Sequence, residues 1–245
     1  VILYLIDGMN WGHRAASMGD AEECLAKMVE RLLRHAARRR QVVVALDREG
    51  PTFRHQLFAG FKAGRSADKI DRGAVEAVFG SYEEIRTQAA PVGFEADDVL
   101  ATLATLGSGR GHRVMILSSD TDLLQVVRPT VTVGTRRRGE AIVYTPEGVF
   151  ERFGVHPGQW VDYLALVGKP SNGIPGVKGI GAGRARTILR AGELDAVLRK
   201  PPIGLPAKLR RQLCKPETAE QVALWRDVCR LRTDLDLGGE SPGSA

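Results

Sequence analysis

Cysteine is scarce in this chain: three residues in 245, at Cys24, Cys214 and Cys229. They lie far apart and form no CxxC pair, so they make neither a disulfide framework nor a zinc site, and a reducing, cytoplasmic setting is expected. Cys24 and Cys229 fall within helical patterns and read as core. Long apolar runs are also missing, which excludes a membrane-spanning helix and leaves no expectation of a membrane partner. The opening VILYLIDG lacks a basic leader and ends in an acid, so it reads as a strand and not a signal peptide. The hydrophobic fraction of 43% is that of an ordinary globular protein. The length suits one large domain or a domain with an appendage.

Positive charge is in surplus, with 35 Lys and Arg against 29 Asp and Glu, a net +6. The basic residues bunch in RLLRHAARRR (31–40), TRRRG (135–139), GRARTILR (183–190) and KLRRQ (208–212). One such run is usually a solvated helix face; four together point to a polyanionic partner.

Against this background stand five carboxylates between positions 93 and 124. Val99, Leu100, Leu103 and Ala104 recur at helical spacing, which puts Glu95, Asp97 and Asp98 in a first helical turn, with Glu95 and Asp98 on one face. Asp120 and Asp122 follow the apolar run 114–117, a buried strand, and an extended backbone would point both the same way. Capping explains one or two acids in such places. Five repel one another unless a cation neutralises them, and a hard divalent ion with oxygen ligands does this best.

Two further strands end in aspartate: residues 1–6 at Asp7 and 41–46 at Asp47. A helix is expected over 20–40, striped by Leu25, Met28, Val29, Leu32 and Leu33. Strands alternating with helices predict a mostly parallel sheet, whose carboxyl ends line one edge where ligands bind. The acids therefore converge in space. The basic stretch 51–91 breaks the alternation, with weak helical character over 72–86, and reads as a segment that positions or gates substrate. TVTVGTRRRGEAIVYT reads as a hairpin, and TPEGVFERFG as a helix capped by Thr145. Gly179, Gly181 and Gly183 mimic a dinucleotide fingerprint but follow no strand. Two helices joined by GVKGIG (176–181) instead offer N–H groups to a phosphate. Helices continue to Leu231.

With these motifs assembled, the chain resembles the 5′→3′ exonuclease/flap endonuclease family, which includes the 5′-nuclease domain of bacterial DNA polymerase I. The matching stretches are LIDGMN (5–10), ALDREGPTFRH (45–55), FKAGR (61–65), FEADDVLATLA (94–104), SSDTDLLQ (118–125) and GIPGVKGIG (173–181). The resemblance implies a PIN-like α/β fold with a C-terminal helix–hairpin–helix region. It further implies divalent-metal-dependent hydrolysis of DNA phosphodiesters at 5′ ends, flaps or junctions. By it, Asp7, Asp47, Glu95, Asp97, Asp98, Asp120 and Asp122 hold Mg²⁺ or Mn²⁺, directly or through water. Lys62 and Arg65 act on the scissile phosphate, and Arg54 lies close to substrate. Lys178, Gly179, Gly181 and Arg184 meet the duplex backbone, and K⁺ sits on the carbonyls of Gly176, Val177 and Ile180. The expected division is a nuclease domain over 1–160 with an arch over 51–91, a helical DNA-binding region over 161–236, and a disordered tail over 237–245. The resemblance places such a protein in a bacterial or phage cytoplasm, near the nucleoid, as a monomer; no polymerase domain follows in this sequence, so a separate polypeptide or an excised fragment is expected.

One segment departs from the family pattern. A GDxSDNIPG-like stretch normally supplies two aspartates to a second metal, whereas this chain has GKPSNGIPG (168–176), with Lys169 and Asn172 in their places. An ammonium cannot ligate a cation and an amide oxygen is a weaker ligand than a carboxylate. The expectation is one complete site around Asp7, Glu95, Asp98 and Asp120. A weaker second site would draw on Asp97, Asp120 and Asp122, or Lys169 would replace part of its charge. The alternative is a DNA-junction binder with weakened catalysis; an RNA-cutting relative fits the KAGR and GVKGIG motifs less well.

Overall fold

The computed structural model describes residues 1–36, 39–64, 70–137 and 139–238. In chain order its regular elements begin with β1 (Ile2–Asp7), α1 (Gly8–Ala16), α2 (Ala21–His35), β2 (Arg40–Leu46), α3 (Phe53–Leu57), α4 (Arg72–Gly80), β3 (Ile85–Ala89) and α5 (Ala96–Gly109). They continue with β4 (Arg113–Leu117), β5 (Val131–Arg137), β6 (Glu140–Tyr144), α6 (Pro146–Phe153), α7 (Trp160–Val167), α8 (Ala182–Arg190), α9 (Leu194–Arg199), α10 (Ala207–Leu213) and α11 (Pro216–Cys229). They form two compact units. The first takes Val1–Thr52, Ala67–Pro146 and Leu231–Ala245, the second Phe53–Ser66 and Glu147–Arg230.

The first unit is built on a six-stranded sheet ordered β3-β2-β1-β4-β5-β6, parallel except for the β5–β6 hairpin at one edge. Its central strands read as unbroken apolar runs because both faces are covered. Alternate residues serve opposite faces. Ile6 and Val42, Val44 and Leu46 pack with Leu25, Val29, Val75 and Phe79 of α2 and α4. On the other face α5 lies so close that a Cβ on Gly107 would meet Leu3 and Val114. Each large aliphatic side chain buried in this way contributes roughly 1.5–3 kcal/mol.

Several local expectations are revised. Helix α2 ends at His35, short of position 40. The weakly helical 72–86 divides into α4 and the edge strand β3, because Ile85 buries one side while its neighbours remain partly wet. A further helix, α1, starts directly after Asp7, and Gly8 permits it: a Cβ there would run into Leu46 and the Ala45 carbonyl.

The second unit is helical. Its core holds Trp160, Leu164, Ile188, Leu198, Leu213, Val222 and Trp225. Phe58 meets Trp225 edge-on, with ring centroids 4.9 Å apart, and this draws the start of the expected arch into the helical unit. This grouping divides the chain differently from the boundary expected at 160/161: the described residues 53–64 fall with the helices, and the chain from Leu231 falls with the sheet unit. Of the tail expected over 237–245, positions 239–245 lie outside the described residues. Among the described residues no helix is long and apolar enough to cross a membrane.

Candidate metal centre

Strands β2, β1 and β4 are neighbours, so their carboxyl ends bring Asp47, Asp7 and Asp120 to one edge of the first unit, as expected. Hydrogen bonds brace this edge. Asp7 accepts from Asn10 N–H at 3.0 Å and from the Ser118 hydroxyl at 2.8 Å, and Ser118 Oγ accepts from Asp120 N–H at 3.0 Å. Asn10 and Ser119 pair twice, through Nδ2 to Oγ at 2.6 Å and backbone N–H to Oδ1 at 3.0 Å. Asp47 Oδ1 accepts the Ala96 N–H at 2.7 Å, which ties the end of β2 to the first turn of α5. Ser118, Ser119 and Asn10 were not foreseen as parts of the site; only their adjacency to Asp120 and Asp7 in the sequence signals them.

The second acidic pair is not extended. Asp120 caps a 3₁₀ turn over Thr121–Val126 and accepts the Asp122 N–H at 2.8 Å. A short side chain bonding its own backbone two residues on makes a turn, which competes successfully with the strand.

Asp98 also departs from expectation. It is fully buried, at 0% exposure, and caps the start of α5 from within the helix. Its Oδ2 accepts Glu95 N–H at 3.1 Å and its Oδ1 accepts Arg232 N–H at 2.9 Å. The face it shares with Glu95 is that of a capping box. With both oxygens turned to backbone donors and no exposed surface, Asp98 is a structural carboxylate and is removed from the direct ligand set.

Asp97 is its opposite. Half-buried, it has no hydrogen-bond partner among the described residues. Burial, then repulsion from Asp120, Asp7, Asp122 and Asp47, holds its carboxyl well above the ordinary range. Asp7 rises from about 3.8 to about 6, chiefly through burial, against the pull of the Asn10 and Ser118 hydrogen bonds and with added repulsion from Asp47 and Asp120. Five carboxylates thus sense one another across one sheet edge. Yet among the described residues no three His, Cys, Asp or Glu side chains close into a group able to hold an ion. The donor set suits a hard divalent ion that keeps some of its water. Asp7, Asp47, Asp97, Asp120 and Asp122 fit that role, with Glu95 beside them at the N-cap.

The second unit carries the expected basic residues. Lys62 is held in the left-handed region at φ 55°, its N–H donating to the Asn172 carbonyl at 3.0 Å and its Nζ 5.1 Å from the Phe61 ring. Such a backbone costs a non-glycine residue of order 1–3 kcal/mol, and strain of this kind gathers at functional positions. The divergent segment makes the grip. Lys169 and Ile174 exchange backbone hydrogen bonds at 2.8 and 3.1 Å, Asn172 is buried, and Gly173 packs against the Gly60 carbonyl.

Arg54 is no surface contact. It is 2% exposed, and its guanidinium donates to the Val228 and Arg230 carbonyls at 2.9 and 3.0 Å. It satisfies carbonyls at the C-terminus of α11, where a cation is favoured, so its expected role near substrate is replaced by a structural one. Arg65 lies outside the described residues. In the GVKGIG loop Lys178, Gly179, Gly181 and Arg184 are exposed, whereas Gly176, Val177 and Ile180 are buried. Arg184 Nη1 donates to the Gly179 carbonyl at 2.6 Å, and Gln212 Nε2 to that of Lys178 at 3.0 Å.

The first unit is an α/β sheet with an acidic edge, and the second is helical with exposed basic residues. Residues 2–154 match the family model for the 5′-3′ exonuclease N-terminal resolvase-like domain, and residues 155–241 that for the 5′-3′ exonuclease C-terminal SAM fold. The chain therefore belongs to the 5′-3′ exonuclease family. It is 38% identical over 199 residues to the thermostable DNA polymerase I of Thermus thermophilus, covering 80% of this chain and 23% of the polymerase. With DNA polymerase I of Deinococcus radiodurans it shares 34% over 256 residues, covering 96% of this chain and 26% of the relative. The chain thus spans about a quarter of the length of these polymerases. In fold it matches the T5 D15 protein co-crystallised with metal ions, with a TM-score of 0.74 and 21% identity over 93% of this chain and 88% of that one.

Proposed function

We propose that this chain hydrolyses DNA phosphodiesters at or near 5′ ends, as a structure-selective exonuclease and flap endonuclease that depends on Mg²⁺ or Mn²⁺. The observation that carries this reading is Asp97: a half-buried carboxylate with no hydrogen-bond partner among the described residues, raised by burial and by four other aspartates. A carboxylate crowded by others in this way is one that a bound cation would stabilise. Asp7, Asp47, Asp97, Asp120 and Asp122 would hold the ion. When bound, a divalent ion lowers the pKa of water toward ~7 and withdraws charge from phosphoryl oxygens.

The chain's own residues do the rest. Asn10, Ser118 and Ser119 lock the carboxylates of β1 and β4 in place before any ion arrives, so little reorganisation remains for the reaction. Lys62, fixed at its backbone by Asn172, supplies a cation for charge that develops on the phosphoryl group, and Arg65 adds to it. Lys178 and Arg184, with the N–H groups around Gly179 and Gly181, bind the duplex backbone. A K⁺ ion on the carbonyls of Gly176, Val177 and Ile180 would stiffen that loop. The T5 flap endonuclease has been captured with DNA and metal ions, which favours a flapped DNA substrate here.

A second reading, a junction binder with weakened catalysis, draws on Lys169 and Asn172, which stand where the family pattern has two aspartates. A labelled 5′-flap DNA incubated with Mg²⁺, Mn²⁺ or EDTA separates the two. Product with metal, none with EDTA and none from Asp120→Asn supports hydrolysis. Binding without product in any metal overturns it in favour of the second reading.

A further inference from the structure

After α11 the chain returns to the sheet unit as a strap over 231–238, and the strap touches both turns that carry the candidate ligands. At one end the Leu231 N–H donates to Gln125 Oε1 at 2.9 Å, and the same Gln125 side chain donates through Nε2 to the Asp122 carbonyl at 2.9 Å. One residue later the Arg232 N–H donates to Asp98 Oδ1 at 2.9 Å, and the other oxygen of Asp98 holds the Glu95 N–H. One turn along α5, the buried Thr102 hydroxyl donates to the Arg232 carbonyl at 3.3 Å and accepts from the Leu235 N–H at 3.4 Å. Farther on, Gln88 Nε2 reaches the Leu237 carbonyl at 3.4 Å. Two consecutive strap amides therefore link the 3₁₀ turn of Asp120 and Asp122 to the α5 turn of Glu95 and Asp97.

We infer that this strap is a positioning element: through Gln125 and Asp98 it sets the spacing between the two acidic turns against their mutual repulsion. The inference rests on the metal-binding reading of the cluster. The physical case is that repelling carboxylates drift apart unless their backbones are fixed, and two adjacent peptide N–H groups in one chain segment are a short, stiff tie. Asp98 is fully buried, with each carboxyl oxygen on a backbone N–H. Such a group is retained where its hydrogen bonds specify an arrangement, because a carboxylate stripped of one donor in the interior is strongly destabilising. Neither Asp98 nor Gln125 needs to touch an ion for this role; both act through the residues they hold.

Arg232→Pro removes the strap's donor to Asp98 without altering any acidic residue, and Arg232→Ala keeps the N–H while deleting the exposed side chain. Mn²⁺ binding followed by electron paramagnetic resonance is the primary readout, with amide hydrogen exchange at Asp122 in EDTA as the second. Loss of outer-shell partners weakens metal sites about 10- to 100-fold. Arg232→Pro should therefore bind Mn²⁺ at least about tenfold more weakly and expose the Asp122 amide to faster exchange, while Arg232→Ala matches the wild type. Should Arg232→Pro fail to fold, Gln125→Leu, which removes the acceptor for Leu231 and the donor to Asp122 together, gives the same comparison. Wild-type affinity in the folded variant, beside a loss in Asp97→Asn, would overturn the positioning role and leave the metal reading standing. No Mn²⁺ binding by the wild type would instead remove the metal reading itself.

Discussion

Asp7→Asn tests whether the acidic edge is built against its own stability. Asp7 is buried at 8% exposure and its carboxyl is raised from about 3.8 to about 6, mainly by burial. A carboxyl raised in the folded state binds more protons folded than unfolded, so ionising it opposes folding. The penalty is absent below about 3.8, grows as the pH passes through the window up to about 6, and is complete above it. At 1.36 kcal/mol per tenfold, the two values imply a penalty of about 3 kcal/mol at pH 7.5 and about 1 kcal/mol at pH 4.5. Asparagine keeps an acceptor for the Asn10 N–H but disturbs the bond from Ser118, at a cost of about 1–2 kcal/mol. In EDTA at pH 7.5 the variant should gain about 1–2 kcal/mol and melt a few degrees higher. At pH 4.5 the gain should vanish or reverse. Saturating Mn²⁺ should invert the order, because an ion at a hundred times its Kd stabilises the wild type by about 2.7 kcal/mol. Thermal melts of both proteins under the three conditions decide it. A variant destabilised equally at pH 4.5 and 7.5 would show that Asp7 is held by its hydrogen bonds and that no charge penalty exists.

Three further outcomes follow from the second unit. Arg54→Met should cost about 2–4 kcal/mol in urea unfolding, since it strands the buried Val228 carbonyl and the part-buried Arg230 carbonyl at the end of α11; it should leave the salt slope of DNA binding unchanged, and a flatter slope would return Arg54 to the interface. Lys178→Ala should weaken DNA binding at low salt and flatten log K against log salt by up to roughly one; an unchanged slope removes Lys178 from the contact. Lys62→Gly should relieve the left-handed backbone and stabilise the fold by about 1 kcal/mol while slowing flap cleavage, and cleavage at the wild-type rate would end its assignment as a catalytic cation.

Much of the sheet edge was legible because it depends on local rules. Apolar runs that end in Asp7, Asp47 and the SSD of 118–120 predict strands whose carboxyl ends meet, and parallel pairing of β2, β1 and β4 brings them together. The hairpin was readable for the same reason, since turn residues act over a few positions, whereas the connection expected as GVKGIG runs over 168–181 between α7 and α8. What failed was finer and shorter. β3 shows little alternation, so its five residues resemble the end of a helix until Ile85 is seen packed in the core. Asp120 and Asp122 looked like extended neighbours, but a side-chain hydrogen bond within the turn outweighs strand geometry.

Residue types and their spacing by themselves determined that this chain would gather carboxylates at one edge of an α/β sheet and keep a basic helical unit beside them in sequence. They did so because alternation, burial and charge are properties of short segments. The tertiary structure alone decided how each acid is partnered. Asp97 and Asp98 are adjacent and chemically identical, yet one has no hydrogen-bond partner among the described residues while the other is sealed between the Glu95 and Arg232 N–H groups. Arg54 and Lys62 were likewise equivalent as basic residues until α11 buried one and Asn172 strained the other. In each pair the deciding partner comes from a distant part of the chain, and a carboxylate or guanidinium takes its role from the donors and acceptors that folding brings to it.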